Sequence, residues 1–321
     1  SNIKLQKERY TTLWPLAASV QFDGQYESFD SAKLAELGIE PTYLQVDRTG
    51  AGDSTGPTVT DLTLSTATVD IDASPNGFVV VDVTLEVNDG GGSGVSSAQV
   101  QFYDVSTFQY RSIEFGPGQT QRKILFSTAD DDGQWEISVS MHDFAGNQSY
   151  LGPLQLRPLP NEITVKNGSP GRFDVTAQSF ADPDLLACVQ AHGSYIDEIT
   201  SIYCGESISD LTGIEALFAL ETVDINTSLY SANRNSVVDL TAMLSLPVLV
   251  RLHVAGNLVT DIPSLPGLVG LNIGYNPIAD LSPIEDMDGL RRLRVDGLSV
   301  DEDDIIALVT GKNLDLLSIS E

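Results

Sequence analysis

Residues 249–298 run LVRLHVAGNLVTDIPSLPG (249–267), LVGLNIGYNPIADLSPIEDMDG (268–289) and LRRLRVDGL (290–298), and each line restarts one spacing, Leu-x-x-Leu-x-aliphatic-x-x-Asn. The alternation of Leu252 and Val254 is that of a short strand with one face turned inward, and Asn257 supplies the amide that closes a turn. Leu268, Leu271, Ile273 and Asn276 repeat the set, and Leu290, Leu293 and Val295 begin it again. A single unit of this size cannot cover its own apolar side. Stacking can, because each rung buries its leucines against the next. The pattern predicts parallel strands side by side with a shared core behind them.

The repeat extends in both directions. Ile199, Ile202 and Cys204 form an earlier rung, Leu220, Val223 and Ile225 the next, and Leu314, Leu317 and Ile319 the last, about six rungs in all. This is the period of a leucine-rich repeat. Between rungs, SISDLTGIEALFAL, VTDIPSLPG and IADLSPIEDMDG open with aliphatic-x-Asp-aliphatic and continue as a loose helical turn, which places them on the convex side.

With Asp210, Asp239, Asp261 and Asp280 in that position, the array resembles those of internalin-type bacterial leucine-rich-repeat proteins. The preceding DPDLLACVQAHGSYIDEITSIYCGESISDL (182–211) is similar to the helical cap that opens such arrays in secreted bacterial proteins. Two departures stand out: an insertion around NTSLYSANRNSVV (226–238), and Leu298 where asparagine is expected. The resemblance covers roughly residues 181–321, with the cap at 181–198. It implies a non-enzymatic recognition or adhesion protein, extracellular or on a bacterial cell surface.

Asp182 followed by Pro183 reads as a helix N-cap and first-turn proline, giving a short helix over 184–190 with Cys188 on its inner side and Cys204 on the first strand. Two readings stay open. A bridge would close a loop of about 15 residues, contribute roughly 3 kcal/mol and imply an oxidising compartment; alternatively, both are buried free thiols.

The 321 residues and 41% hydrophobic content allow two or three domains. Against 45 acidic side chains stand 17 basic ones, a formal net charge of -28. Such a field repels nucleic acid and anionic lipid. No stretch approaches the roughly 18 to 20 consecutive apolar residues of a membrane span. The start, SNIKLQKERY, is no signal peptide, so the chain is read as a mature or trimmed form.

Ahead of the repeats, residues 58–72, 78–88, 98–104, 121–128 and 134–142 alternate or run apolar over strand length between Gly-, Asp- and Ser-rich turns, the pattern of a β-sandwich. The absence of a Cys…Trp…Cys pattern excludes an antibody-type domain, although Trp135 could fill the core. DGGGSGVSSAQVQF, DDGQWEISVSMHD and DFAGN resemble pieces of bacterial Ig-like repeats. The expected architecture is an all-β Ig-like sandwich followed by an α/β leucine-rich-repeat solenoid with a short helical N-terminal cap. Its divisions are 1–52, the tail of a preceding Ig-like repeat or a β extension with a helical turn at 31–38; 53–160, the sandwich; 161–180, a linker; and 181–321, the array.

Catalytic signatures are missing. His142, His192 and His253 show no metal-ligand spacing, and neither a nucleophile elbow nor a phosphate-cradling or dinucleotide loop occurs. DGGGSG leads into a strand and reads as a hairpin turn. No cofactor is expected apart from one calcium reading. The run from Asp130 to Gly133 fails as an EF-hand, since placing Gly133 sixth puts Thr128 first and Val139 twelfth. A looser set near strand ends, Asp89, Asp131, Asp143 and Asn147, competes with the reading of solvated turn acids.

Binding chemistry falls on the concave sheet, where the side chains between apolar positions point outward in columns. The candidate ligand face comprises Tyr203, Asp224, Arg251, His253, Asn272, Tyr275, Arg292 and Arg294. Three arginines on one face reverse the local sign of a very acidic chain, and arginine and tyrosine anchor interfaces. Either they bind an acidic protein or glycan, or they pair with Asp224, Asp296 or Asp315 and only solubilise the sheet. The runner-up function is a spacer or accessory region of a larger secreted enzyme.

Overall fold

The computed structural model describes residues 53–319 apart from 169–170, 206, 229–232 and 313. Of residues 1–52 it describes only the backbone of β1 (Leu13–Pro15), β2 (Ala18–Phe22), β3 (Gln25–Phe29) and β4 (Tyr43–Gln45), in two antiparallel pairs, β1 with β4 and β2 with β3. The helical turn expected at 31–38 lies outside the described residues. Two compact units divide the chain: Ser1–Thr58 with Asn88–Ser96 and Met141–Ser149, and Val59–Val87 with Ser97–Ser140 and Tyr150–Glu321.

Nine strands follow: β5 (Thr58–Leu64), β6 (Thr68–Asp70), β7 (Phe78–Asn88), β8 (Val95–Asp104), β9 (Tyr110–Phe115), β10 (Gln121–Ser127), β11 (Gly133–Asp143), β12 (Gln148–Leu151) and β13 (Glu162–Lys166). One sheet has the order β10-β7-β5; the other runs β6-β13-β11-β8-β9, with β12 on β11. Alternation puts Val81, Val83, Val100, Phe102, Phe126, Trp135 and Ile137 fully inside. Phe126 stands edge-on to both Phe102 and Trp135, at 5.8 and 5.5 Å between centroids, so rings from both sheets meet in one core.

Two sequence boundaries shift. The stretch 58–72, one strand by its pattern, breaks after Leu64 and its second half joins the other sheet. Residues 162–166, inside the expected linker, form a strand antiparallel to β11 and parallel to β6. Ile163 and Val165 are buried, and this alternation is what lets EITV be read as a strand inside the linker despite the neighbouring Pro and Gly.

The second half of the chain is a parallel ladder in chain order: β14 (Ser201–Tyr203), β15 (Thr222–Asp224), β16 (Arg251–His253), β17 (Gly270–Asn272), β18 (Arg292–Arg294) and β19 (Leu316–Ser318). Ile202, Val223, Leu252, Leu271, Leu293 and Leu317 pair in one row. Behind them Leu220, Leu268 and Leu290 are fully buried, as the spacing requires. On the far side two of the three expected helical turns form, as 3-10 turns at Ile214–Ala216 and Ser282–Asp286; VTDIPSLPG (259–267), with prolines at 263 and 266, forms none, and a further 3-10 turn stands at Thr241–Ser245. The aspartates before them hold the turns: Asp210 accepts from Thr212 N–H, Asp239 from Thr241 N–H and Asp280 from Ser282 N–H, each at 2.8 Å.

Asparagines stitch the rungs together. Asn257 Nδ2 donates to Ile225 O of the previous rung and Val254 O of its own, both at 2.9 Å, while its Oδ1 accepts from Val237 N–H. Asn276 repeats this with Val254 O, Ile273 O and Val259 N–H. In the rung with the insertion the role passes to Asn235, which donates to Cys204 O and Ile225 O and accepts from Ile208 N–H. The spacing from Leu220 puts serine, Ser228, at the asparagine position, and the insertion supplies the buried asparagine further along the chain as Asn235.

Before the first rung, α1 (Pro183–His192) is capped by Asp182, whose Oδ1 accepts from Asp184 and Leu185 N–H. The helix runs two residues beyond the expected end. Cys188 and Cys204 are disulfide-bonded, with 5.8 Å between their Cα atoms. His192 Nε2 accepts the N–H of Tyr203, which fixes its proton on Nδ1, facing Cys188 O. The edge of β14 is thereby covered. A last helix, α2 (Glu302–Val309), precedes β19.

Candidate functional site

Strand register sorts the outward side chains into two columns. Ser201, Thr222, Arg251, Gly270, Arg292 and Leu316 form one; Tyr203, Asp224, His253, Asn272, Arg294 and Ser318 form the other. Seven of the eight candidate residues stand in these columns, and Tyr275 lies in the turn after β17. The spacing between neighbouring strands puts Arg251 and Arg292, two strands apart, about 10 Å from each other at the backbone. Gly270 lies between them, and a side chain there would begin 3.4 Å from Arg251 Cγ. Tyr275 adopts a left-handed φ of 55°, and its ring covers Gly297, where an added Cβ would fall 2.3 Å from ring carbon Cδ1.

The candidate residues differ in what they touch. Asp224 Oδ2 lies 3.1 Å from His253 Nδ1, and its Oδ1 accepts from Asn226 N–H. Burial opposes the charge of Asp224, but these hydrogen bonds outweigh it and hold the carboxyl below its ordinary value. Asn272 Oδ1 accepts from Gly274 N–H at 3.3 Å. Arg251 Nε donates to Thr222 Oγ1 at 3.0 Å and lies in the field of Glu221 and Arg122. Burial pushes the Glu221 carboxyl up, and those two arginines pull it back. These four side chains are largely committed to the ladder.

Arg292, Arg294 and Tyr203 are free to meet a ligand. Neither Arg292 nor Arg294 has a guanidinium hydrogen bond or ion pair among the described residues, and Tyr203 is 61% exposed. Among the described residues Asp224 takes His253, and Asp296 accepts from Ser318 Oγ at 2.8 Å. The third arginine of the run, Arg291, is 6% exposed and donates to Pro117 O at 3.2 Å. Strand parity separates it from its neighbours, since 291 falls out of phase with 292 and 294.

A second concavity lies alongside. Gln121, Arg122 and Lys123 of β10, with Asp82–Thr84 of β7, face Met243–Val250 and Ser264–Gly267 across a groove of 720 Å³. Exposed Leu244 is among the lining residues. The sequence carries no signal for this groove, because its walls come from segments about 120 residues apart.

The calcium set divides. Asp89, Asp143 and Asn147 come together, and Asn147 Nδ2 donates to Asp143 Oδ2 at 2.7 Å. Asp131 does not join them; its N–H donates to Gln109 Oε1 and its carbonyl accepts from Trp135 Nε1. The reason is strand length: Asp131 precedes β11 and Asp143 ends it, and a strand of 11 residues holds its ends about 30 Å apart. In its place stands Asp53, from a Gly-rich stretch read as linker.

Leucines recurring after 19 and 22 residues (Leu252, Leu271, Leu293), one parallel strand per repeat and asparagines bonded between turns define a leucine-rich-repeat array. The sequence matches no protein-family model and no curated protein. Among solved structures the chain is similar to internalin C2 of Listeria monocytogenes, at 17% identity over 49% of this chain and 82% of that one, with a TM-score of 0.34. It is also similar to a second internalin of that organism (17%, 48% of this chain and 61% of that one, TM-score 0.29). A leucine-rich-repeat protein of Leptospira interrogans follows at 18%, 50% of this chain, 43% of that one and TM-score 0.30. No helix among the described residues is long and apolar enough to cross a membrane.

Proposed function

We propose that this chain is a non-enzymatic recognition module of the extracellular space or bacterial cell surface, binding an acidic protein or glycan through the face that carries Tyr203, Arg292 and Arg294. One observation carries the reading: two arginines with no partner among the described residues stand one residue apart on an exposed strand of a chain whose net charge is -28. An unpaired guanidinium presents its planar fork to carboxylate or phosphate, and none of the described acidic side chains fills it. The two facing sheets at 53–166 serve in this reading as an Ig-like stalk, α1 as the helical cap, and the ladder as a solenoid that displays the ligand face. The disulfide fits an oxidising compartment.

The test is binding by the immobilised chain to a panel of extracellular proteins and sulfated or carboxylated glycans, with Arg292→Ala/Arg294→Ala beside the wild type. Capture at low salt that the double variant loses at an unchanged melting temperature supports the proposal. Equal capture by both chains removes it.

A further inference from the structure

Three carboxylates converge within the first compact unit: Asp53 before β5, Asp89 after β7 and Asp143 at the end of β11. One oxygen from each lies within 4.8 Å of the others. Asp143 and Asp89 are 3% and 8% exposed. None forms an ion pair with Lys, Arg or His among the described residues. Some of their oxygens are accounted for. Asp53 accepts from Ser93 N–H and Thr55 N–H, Asp89 Oδ2 from Gly94 N–H, and Asp143 from both nitrogens of Asn147. Asp89 Oδ1 is not: it is buried and accepts from no donor. A buried carboxylate oxygen without a donor, beside two further negative charges, is costly, and such groups are stable when paired or bound to a metal.

We propose that Asp53, Asp89 and Asp143 form a calcium site, with Asp89 Oδ1 as a direct ligand. The donors are all hard carboxylate oxygens, with no imidazole or thiolate that would favour zinc or copper. Magnesium keeps several waters and takes one or two carboxylates, whereas three carboxylate oxygens within 4.8 Å of one another fit the many-oxygen shell of calcium. The turn between β7 and β8 is shaped for it. A Cβ on Gly92 would fall 2.5 Å from Asp53 Oδ2 and 2.7 Å from Asp89 Oδ2, so only glycine lets the backbone pass this close to both carboxylates. Ser93, through its N–H and then its hydroxyl, holds the Asp53 carboxyl down to about 2, keeping it charged at any working pH. Asn147 is a positioning residue; its amide bonds Asp143 and the carbonyls of Asp53 and Thr55. A bound ion would fasten three segments distant in sequence. The inference is independent of the ligand face on the ladder.

The experiment is titration of CaCl2 into the chelator-stripped full chain by calorimetry, with thermal denaturation in calcium and in EDTA. Asp89→Asn, Asp53→Asn and Asp131→Asn are run beside the wild type, and circular dichroism checks each fold. The expected result is one ion per chain with a Kd on the order of 10⁻⁴ to 10⁻³ M, a melting temperature raised by calcium, affinity weakened ten-fold or more in Asp89→Asn and Asp53→Asn, and no change in Asp131→Asn. If Asp89→Asn fails to fold, the exposed-side variant Asp53→Asn decides alone. No heat and no melting shift at 10 mM calcium would overturn the site, as would an Asp131→Asn chain that loses as much affinity as Asp53→Asn, which is diffuse binding to an acidic surface.

Discussion

The ladder and the two facing sheets bury comparable side chains by opposite connectivity. In the ladder every strand pairs with its neighbours in sequence, and one row of central residues runs through all six rungs in constant register. In the sheets, β13 pairs with β6 from nearly a hundred residues away, and β5 and β6 part company after three intervening residues. The ladder's interactions are nearest-neighbour and therefore repetitive; those of the sheets are long-range and each is made once. Polar groups follow the same division. Buried asparagines in the ladder are satisfied by adjacent rungs, whereas two buried polar groups of the sheet region, Asp89 Oδ1 and Asn167 Oδ1, accept from no donor.

The most severe test of this contrast is Asn257→Ala. It strands the buried Val237 N–H and takes one of two donors from Ile225 O and Val254 O, which keep Asn235 and Asn276; at roughly 1–3 kcal/mol for the unsatisfied group and about 0.5–1.5 kcal/mol for each lost bond, the expected loss is about 4 kcal/mol. Hydrogen exchange should show protection lost in the rungs flanking residue 257 and retained in β7, β10 and β11. Loss spread evenly through both regions would mean that the ladder does not behave as a stack of neighbours. Asn226→Ala, at an asparagine outside the repeat position, removes one bond to Ala255 N–H and should cost much less.

A smaller effect is expected from Cys188→Ser/Cys204→Ser. The bond closes a loop of 16 residues, and its removal should cost about 3 kcal/mol by freeing the unfolded chain. Asp182, whose side chain caps α1 and also accepts from Ser209 N–H and Asp210 N–H, remains to hold the helix on the first rung. Denaturation of the reduced wild type should match that of the double variant. A loss of the whole ladder on reduction would instead make the first rung its nucleus.

The same connectivity decides what can be read from sequence. Six rungs, the helix before them and the aspartate turns are legible because each rests on residues within one repeat. The insertion hides Asn235 because an asparagine is recognised by its distance from the leucines, and the insertion changes that distance. Asp53 and Asp89 are 36 residues apart in two glycine-rich turns, and no local spacing links them. Asp131 is read with the set because it falls near a strand end, but it lies at the opposite end of β11 from Asp143. On the ligand face, register reveals which side chains point outward, but the pairing of Asp224 with His253, and the absence of a partner for Arg292 and Arg294 among the described residues, belong to the folded structure.

The smallest effect concerns pH, and its sign differs between the regions. Asp280 in the ladder accepts from the N–H and then the hydroxyl of Ser282, which depresses its folded pKa below the ordinary 3.8. Its contribution is present above the unfolded pKa and is lost as pH falls through the folded one. Asp130 in the sheets is buried, which raises its carboxyl despite Arg111 Nε at 2.8 Å. Its contribution has the opposite course: present below the unfolded pKa, it is lost as pH rises toward the folded one. The stability advantage of the wild type over Asp280→Asn should therefore grow between pH 3 and 6, while its advantage over Asp130→Asn should shrink across the same range. Urea denaturation at each pH measures both. Parallel slopes would mean that Asp130 is governed by its ion pair with Arg111 and not by its burial, because a dominant ion pair would depress its pKa as the turn does for Asp280.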